Sequence, residues 1–183
     1  MADNLPLFLL SSSGISHAAS LRDVLFESLA HKLIAACCCG TLRALYGTVT
    51  EGGNLPSIGN GAPVLFRSLV DLVRENNRYY QPSISNLASA DGFACVNNCV
   101  DLFQITVSSD HPVKTHGIQA IRALFPTVLS ARLIFVVPAD ISAAFRLQNY
   151  VTLDRGISKV APTLLTQWVV PVVLSAEFSR NHT

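Results

Sequence analysis

The pattern of apolar and polar positions between residues 90 and 107 predicts a β-hairpin. Two apolar runs flank the dipeptide Asn97-Asn98, and asparagine tolerates the positive φ angles of a two-residue hairpin turn. With these two residues in the turn, Val96 pairs with Cys99. Counting back from the turn then sets the register of both strands.

This register divides the side chains of the hairpin between two faces, because successive residues of a strand point to opposite sides. Asp91 falls opposite Gln104, and Thr106 is expected on the same face as both. The other face is expected to carry the apolar side chains Phe103, Ile105 and Val107. A carboxylate and an amide oxygen held side by side can bind a hard divalent cation beside a phosphate. The alternative is an ordinary antiparallel hairpin with one solvated face.

A helix is predicted over residues 20–36, because apolar residues recur there at helical spacing. These residues are Leu21, Val24, Leu25, Leu29 and Leu33. Ser20 is the expected N-cap, and the helix is expected to end near Gly40. Glu27 and His31 are four residues apart, so they lie on one flank of the helix beside the apolar stripe. They form either part of a site or an exposed pair at the edge of the stripe.

The rest of the chain predicts strands and short helices between loops rich in Gly, Pro, Asn and Ser. In chain order we expect a strand over 41–49, a loop over 51–63, a strand or short helix over 64–75, a loop over 76–89, a helix over 112–125, a buried strand over 132–137, a short helix over 141–147 and a strand over 165–174 interrupted at Pro171. Residues 1–19 are expected to form a poorly structured lead, and residues 20–183 a single domain. The predicted fold class is α/β, with a core in the order α-β-β-β-α-β and additional C-terminal elements.

The composition narrows the class of protein. Half of the 183 residues are hydrophobic and 14% are charged, which excludes a disordered chain and predicts a sizeable core. The formal net charge of +1 is weak support for nucleic-acid binding, because dedicated binders usually carry a basic face. The residues that either form a local basic patch or are scattered over a solvated surface are Arg67, Arg74, Arg78, Lys114 and Arg122.

Several other kinds of site find little support in the sequence. Five cysteines, an odd number that includes a consecutive triplet, indicate neither a disulfide framework nor a zinc site. The chain contains no Gly-x-Ser-x-Gly elbow of a serine hydrolase and no P-loop. Residues 5–10 are too short an apolar run for a convincing signal peptide, and no run is long enough for a membrane helix. Loop histidines such as His111 and His116 are more often solvated than metal-bound.

Five segments resemble, in the same order, motifs of the Crinkler effectors and their retrotransposon-hot-spot relatives. They are LFESLAH at 25–31, YYQP at 79–82 followed by the pair at 90–91, FQITVSSDHPVK at 103–114, RLIFVVP at 132–138 and FRLQNY at 145–150. The resemblance runs from about residue 21 to the end of the chain. It implies a diverged restriction-endonuclease-like domain, a fold with a mixed sheet whose core has the order α-β-β-β-α-β.

The resemblance also implies a set of site residues. In nucleases of this fold, an acidic residue starts one hairpin strand, an acid or glutamine lies opposite, and a lysine follows two positions later. Asp91 and Gln104 match the first two positions, so both are expected to be catalytic and to hold Mg²⁺ or Mn²⁺. Glu27 matches the glutamate that many such sites take from the first helix, and is the expected further metal ligand.

The sequence departs from this pattern at one position. Thr106 stands where the lysine is expected, and threonine cannot supply positive charge to a pentavalent phosphate. Lys114 and His111, which follow the strand, are the expected substitutes at the phosphate. The alternative is a catalytically inactive domain that binds a host protein or nucleic acid, which Thr106 and the near-neutral charge favour.

Membership of this family would also define a biological setting. The resemblance implies an effector that is secreted or translocated into a host cell and acts in the host nucleus, as a metal-dependent DNA endonuclease that contributes to virulence. The expected partners are DNA, a host nuclear protein, and a P-loop NTPase module in cis or in trans. A membrane is not among the expected partners.

Overall fold

The computed structural model describes residues 19–37, 39–46, 53–55, 58, 62–70, 72, 75–83, 87, 90–126, 130–152, 156–157 and 165–173. Most of the lead predicted over 1–19 lies outside the described residues. Parts of the loops predicted over 51–63 and 76–89 lie outside them as well.

The described residues form the helices α1 (Ala19–Ala35), α2 (Thr115–Ala123) and α3 (Ala139–Ser142). The strands are β1 (Arg43–Ala44), β2 (Val64–Phe66), β3 (Arg78–Pro82), β4 (Gly92–Val96), β5 (Cys99–Ile105), β6 (Val113–Lys114), β7 (Ser130–Pro138), β8 (Tyr150–Val151) and β9 (Thr166–Val172). The protein is therefore a mixed α/β structure, as predicted. None of the described helices combines the length and the apolar content needed to cross a membrane.

Seven strands form one mixed sheet in the order β1-β9-β7-β5-β4-β3-β2. β3, β4 and β5 are consecutive antiparallel neighbours, whereas β7 and β9 continue the sheet parallel to β5. β1 is antiparallel to β9 at one edge, and β2 is parallel to β3 at the other. β6 and β8 form a separate parallel pair. β5 therefore lies at the centre of the large sheet.

The predicted hairpin is present as β4 and β5. Val96 pairs with Cys99. Asn97 and Asn98 have φ angles of 50° and 62°, as a type I′ turn requires at both central residues. The prediction of the turn and of the pairing next to it is confirmed.

The open end of the hairpin differs from the prediction, because regular pairing stops one residue early. The last pair is Gly92 with Phe103, and the backbone N–H of Asp91 donates to the carbonyl oxygen of Phe103 at 2.7 Å. Asp91, just before β4, and Gly92, its first residue, are therefore both opposite Phe103 of β5, as in a β-bulge. Asp91 is not paired directly opposite Gln104.

Both faces of the sheet are covered, so the alternative of a hairpin with one solvated face is wrong. α1 packs on one face in an apolar cluster that includes Phe26, Ala30, Phe103 and Ile105. α2 packs on the other face in a cluster that includes Ile118, Ile121, Leu102 and Phe135. Even the polar residues Gln104 and Thr106 are only 4% and 3% exposed, because β5 has a strand on each edge and a helix over each face.

Part of the loop predicted over 76–89 is a strand, β3. Tyr79 and Tyr80 are 2% and 0% exposed, and they belong to the clusters on opposite faces of the sheet. Two adjacent aromatic residues that each fill one side of a sheet outweigh the Asn, Ser and Pro residues around them. Pro82 is the last residue of the strand, where its missing N–H is tolerated.

The remaining boundaries in the first half of the chain agree with the prediction in part. α1 confirms the helix predicted over 20–36, but it begins at Ala19, so Ser20 lies within the helix and not at its cap. The strand predicted over 41–49 is reduced to β1 among the described residues. The ambiguous segment 64–75 contains the short strand β2.

In the second half, β7 confirms the buried strand and extends it at both ends. The helix predicted from Pro112 begins at Thr115, because segment 113–114 first pairs with β8. α3 is shorter than the helix predicted over 141–147. β9 is not interrupted at Pro171, which keeps its place opposite Val137 of β7.

A buried ion pair joins β5 to β7. Asp101 is 0% exposed, and its two carboxylate oxygens accept hydrogen bonds from Nε and Nη2 of Arg132, both at 2.7 Å. This bidentate geometry satisfies a carboxylate that has no access to water. Removing one partner alone would leave an uncompensated charge in the interior.

We expect Arg132→Met to lower the free energy of unfolding by about 3 kcal/mol, because Asp101 is then buried without its counter-charge. The double variant Asp101→Leu/Arg132→Met should recover most of that loss. Urea unfolding monitored by circular dichroism measures both effects. A double variant no more stable than Arg132→Met would contradict this explanation.

Candidate site at the end of the central hairpin

Asp91 closes the open end of the hairpin with its side chain. Its Oδ2 atom accepts a hydrogen bond from the backbone N–H of Ile105 at 2.6 Å. Backbone N–H groups of a strand point along the plane of the sheet, so this oxygen lies in that plane, at a position where the next carbonyl of β4 would otherwise be. The carboxylate therefore terminates the ladder between β4 and β5.

The environment of Asp91 opposes its negative charge. The pKa of Asp91 is raised to about 6, mainly by burial and further by the charge of Glu27, against the opposing effect of the hydrogen bond from Ile105. His31 lowers this pKa and Asp23 raises it, by smaller effects. Glu27, His31 and Asp23 belong to α1, so the charges that act on Asp91 come from this helix.

A buried histidine links α1 to the sheet. His31 is 5% exposed, with Nδ1 2.6 Å from the hydroxyl oxygen of Tyr79 and Nε2 3.6 Å from Oε1 of Glu27. Burial, and then the charge of Asp91, raise the pKa of Tyr79 well above its usual value, so the phenol keeps its proton at neutral pH.

Gly92 makes room for this arrangement. A Cβ atom at this position would collide with the hydroxyl and ring of Tyr79. The absence of a side chain at the first residue of β4 therefore lets the phenol reach His31 across the strand. Sequence reasoning did not single out Tyr79 or Gly92, although Tyr79 lies within the YYQP segment.

Gln104 lies on the other side of the sheet from this group. It pairs with Phe135 in the β5–β7 register, and paired residues of neighbouring strands point to the same face. Phe135 belongs to the cluster under α2, so Gln104 faces away from α1 and Glu27. Its Oε1 atom is buried and has no hydrogen-bond partner among the residues that the structure describes.

Thr106 is held by the loop that follows β5. Its Oγ1 atom lies 3.2 Å from Nδ1 of His111 and accepts the backbone N–H of Ser108 at 3.0 Å. Burial lowers the pKa of His111, Asp23 raises it, and Lys114 lowers it further. His111 therefore lies beside the expected lysine position, whereas Lys114 is exposed immediately before α2.

Two glutamines that sequence reasoning did not assign fix this loop. Gln148 accepts the backbone N–H of His111 at 2.7 Å through Oε1 and donates to the carbonyl of Ser109 at 3.1 Å through Nε2. Gln167 binds both backbone groups of Gln148, at 2.8 and 2.9 Å. Gln148 lies within the FRLQNY segment, so the resemblance could have pointed to it. In the structure, its side chain anchors the loop that carries His111.

The predicted metal ligands do not meet in one place. Glu27 is on the α1 face, Asp91 is in the plane of the sheet, and Gln104 is on the α2 face. Within the described ranges, no group of three or more His, Cys, Asp or Glu side chains could hold a metal ion. Carboxylate and amide oxygens suit Mg²⁺ chemically, but their separation by the sheet means that these residues do not fit a preformed Mg²⁺ or Mn²⁺ site.

Comparisons with protein-family models, with curated proteins and with solved structures found no match to this chain.

We expect Asp91→Asn to stabilise the protein at neutral and alkaline pH, by up to about 2 kcal/mol. Asparagine keeps an oxygen for the Ile105 N–H but removes a charge whose folded-state pKa of about 6 exceeds the unfolded value of about 4. A raised carboxyl pKa means that the folded protein binds the proton more tightly, so wild-type stability falls as pH rises from about 4 to about 6.

The free energy of unfolding, measured in urea from pH 4 to pH 8, tests this. The difference between variant and wild type should be largest above pH 7 and should shrink below pH 6. Asp110→Asn, in an exposed loop position, is the matched control. A constant difference across this range would show that the charge of Asp91 is not the cause.

Proposed function

We propose that this chain is a Crinkler-type effector domain with a diverged restriction-endonuclease-like core. What supports the fold is the order of elements around β5. α1 comes first, β3, β4 and β5 follow as an antiparallel meander, and α2 then leads to β7, which is parallel to β5. This is the order helix, three strands, helix, strand of that core, and β1, β2 and β9 extend the sheet beyond it.

The function that this geometry supports best is binding of a host protein by a domain that does not cleave DNA. In this proposal the effector is secreted or translocated into a host cell, acts in the host nucleus, and works with an NTPase module in cis or in trans. The observation that carries it is the distribution of the nuclease residues over both faces of the sheet. Glu27 and Gln104 are on opposite faces, and Thr106, in place of a lysine, is tied to His111.

Charge favours a protein partner over nucleic acid. Binding of a phosphate backbone needs positive charge that is not already neutralised, yet the net charge is +1. Arg78 pairs with Glu75. Lys114 and Arg122 lie at opposite ends of α2, about 12 Å apart along its axis. The end of the hairpin is acidic as well, through the α1 carboxylates and Asp91.

A weak Mg²⁺- or Mn²⁺-dependent DNA nuclease is the second candidate, and one observation favours it. Asp91 is a desolvated carboxylate whose pKa is raised further by the charge of Glu27, and a divalent cation near both would relieve that unfavourable charge. For this activity, Gln104 and either Lys114 or His111 would have to approach Asp91 from their present positions. The candidate therefore requires a rearrangement of the site.

A cleavage and binding assay distinguishes the two candidates. Wild type, Asp91→Asn and Thr106→Lys are incubated with single- and double-stranded DNA in Mg²⁺ or Mn²⁺, and DNA binding is measured by fluorescence anisotropy at several salt concentrations. We expect no metal-dependent cleavage above the Asp91→Asn background and only weak, salt-sensitive DNA binding.

The opposite result would establish the nuclease. Wild-type cleavage that Asp91→Asn abolishes, and that Thr106→Lys raises by about 10²- to 10³-fold through a restored cation at the phosphate, would contradict the binding function. Asp110→Asn again serves as the control, because it removes a neighbouring carboxylate that has no proposed role.

A further inference from the structure

A groove runs along the outer flank of α1 beside the edge of the sheet. It has a volume of about 370 Å³, and its walls include Val24, Ala35, Pro63, Glu27, His31 and Gln81. This volume is at the small end of the range for sites that bind ligands, and suits one long side chain or a small molecule. The walls combine aliphatic surface with a carboxylate and an amide.

The carboxylate of Glu27 is the anionic group among the described residues that line the groove. The side chain of Glu27 is 47% exposed, so its carboxylate is accessible from the groove. Asp23 lies about one helical turn before Glu27 on α1 and is exposed. Lys32 is exposed on the same stretch of helix and is the one cation among the described residues that line the groove.

The carboxylate of Glu27 lies next to a buried histidine, His31. His31 is buried and fixed by the 2.6 Å hydrogen bond to Tyr79, and its Nε2 atom lies 3.6 Å from Oε1 of Glu27. At this distance the contact is not a hydrogen bond. The half-exposed carboxylate of Glu27 therefore remains available to a ligand.

We propose that this groove binds an arginine side chain of a partner protein, with Glu27 as its anionic contact. The planar guanidinium group can pair with both oxygens of a carboxylate. The aliphatic part of arginine would pack along Val24, Ala35 and Pro63, and the Gln81 amide can accept a remaining N–H. The inference rests on the proposed function and names the chemistry of the partner at this site.

A peptide titration tests the proposal directly. The peptide acetyl-Ala-Arg-Ala-amide is titrated into the isotopically labelled full chain, and chemical shifts are followed by NMR. Its citrulline analogue has almost the same shape without the charge. We expect saturable shifts at Val24 and Ala35, with binding about tenfold weaker for citrulline, the loss typical of one charge-assisted hydrogen-bonded pair.

Two variants sharpen this test. Glu27→Gln should bind the arginine peptide as weakly as wild type binds citrulline. Glu75→Gln removes a carboxylate of similar exposure, 58% against 47%, and should bind like wild type. Equal binding of arginine and citrulline, or unchanged binding by Glu27→Gln, would overturn the proposal.

A divalent cation is the competing occupant, and Mg²⁺ alone serves as its probe. If Mg²⁺ shifts the same signals at lower concentration than the peptide and displaces it, the groove is a metal site and the proposal is wrong. Failure of the groove proposal is distinct from failure of the proposed function. If a host protein bound wild type and Glu27→Gln equally, the binding function would stand and only the role of this groove would be wrong.

Discussion

The structure depends on the burial of β5 on both edges and both faces. β4 and β7 occupy its edges, while α1 and α2 cover its faces with separate apolar clusters. A strand in this position exposes no backbone polar group to solvent, so each one needs a partner within the protein. Asp91 supplies such a partner to Ile105 where the ladder to β4 ends. The same carboxylate therefore completes the hydrogen bonding of the sheet and is the candidate catalytic group.

The same burial decides which polar side chains can act together. Successive side chains of β5 point to opposite faces of the sheet, so the sheet itself separates them. Asp101 is stabilised by Arg132, and Gln148 by Gln167. Within the described part of the chain, Oε1 of Gln104 has no such partner. The sheet thus separates Gln104 from the carboxylates on the α1 side, which is why a three-ligand metal site is not assembled.

On the α1 side, the groove presents the carboxylate of Glu27 with Lys32 on the same helix. Glu27 is half-exposed and supported by His31 and Tyr79, while burial weakens the acidity of Asp91. An anionic ligand would be repelled here unless a metal ion neutralised the site. A basic side chain from a partner protein would instead be attracted, which connects the proposed binding function with the groove.

Local elements with strong periodic or turn signals could be predicted from the sequence alone. Asn97-Asn98 defined the hairpin turn, the apolar spacing defined α1, and the β-branched run defined β7, because each signal acts within a few residues. Tertiary structure decided the rest. Tyr79 and Tyr80 form a strand only because β4 and two apolar layers surround them, and Asp91 leaves its expected pairing because the ladder ends at Gly92. The separation of Glu27 from Gln104 depends on which helix covers which face, and that is settled by packing between distant parts of the chain.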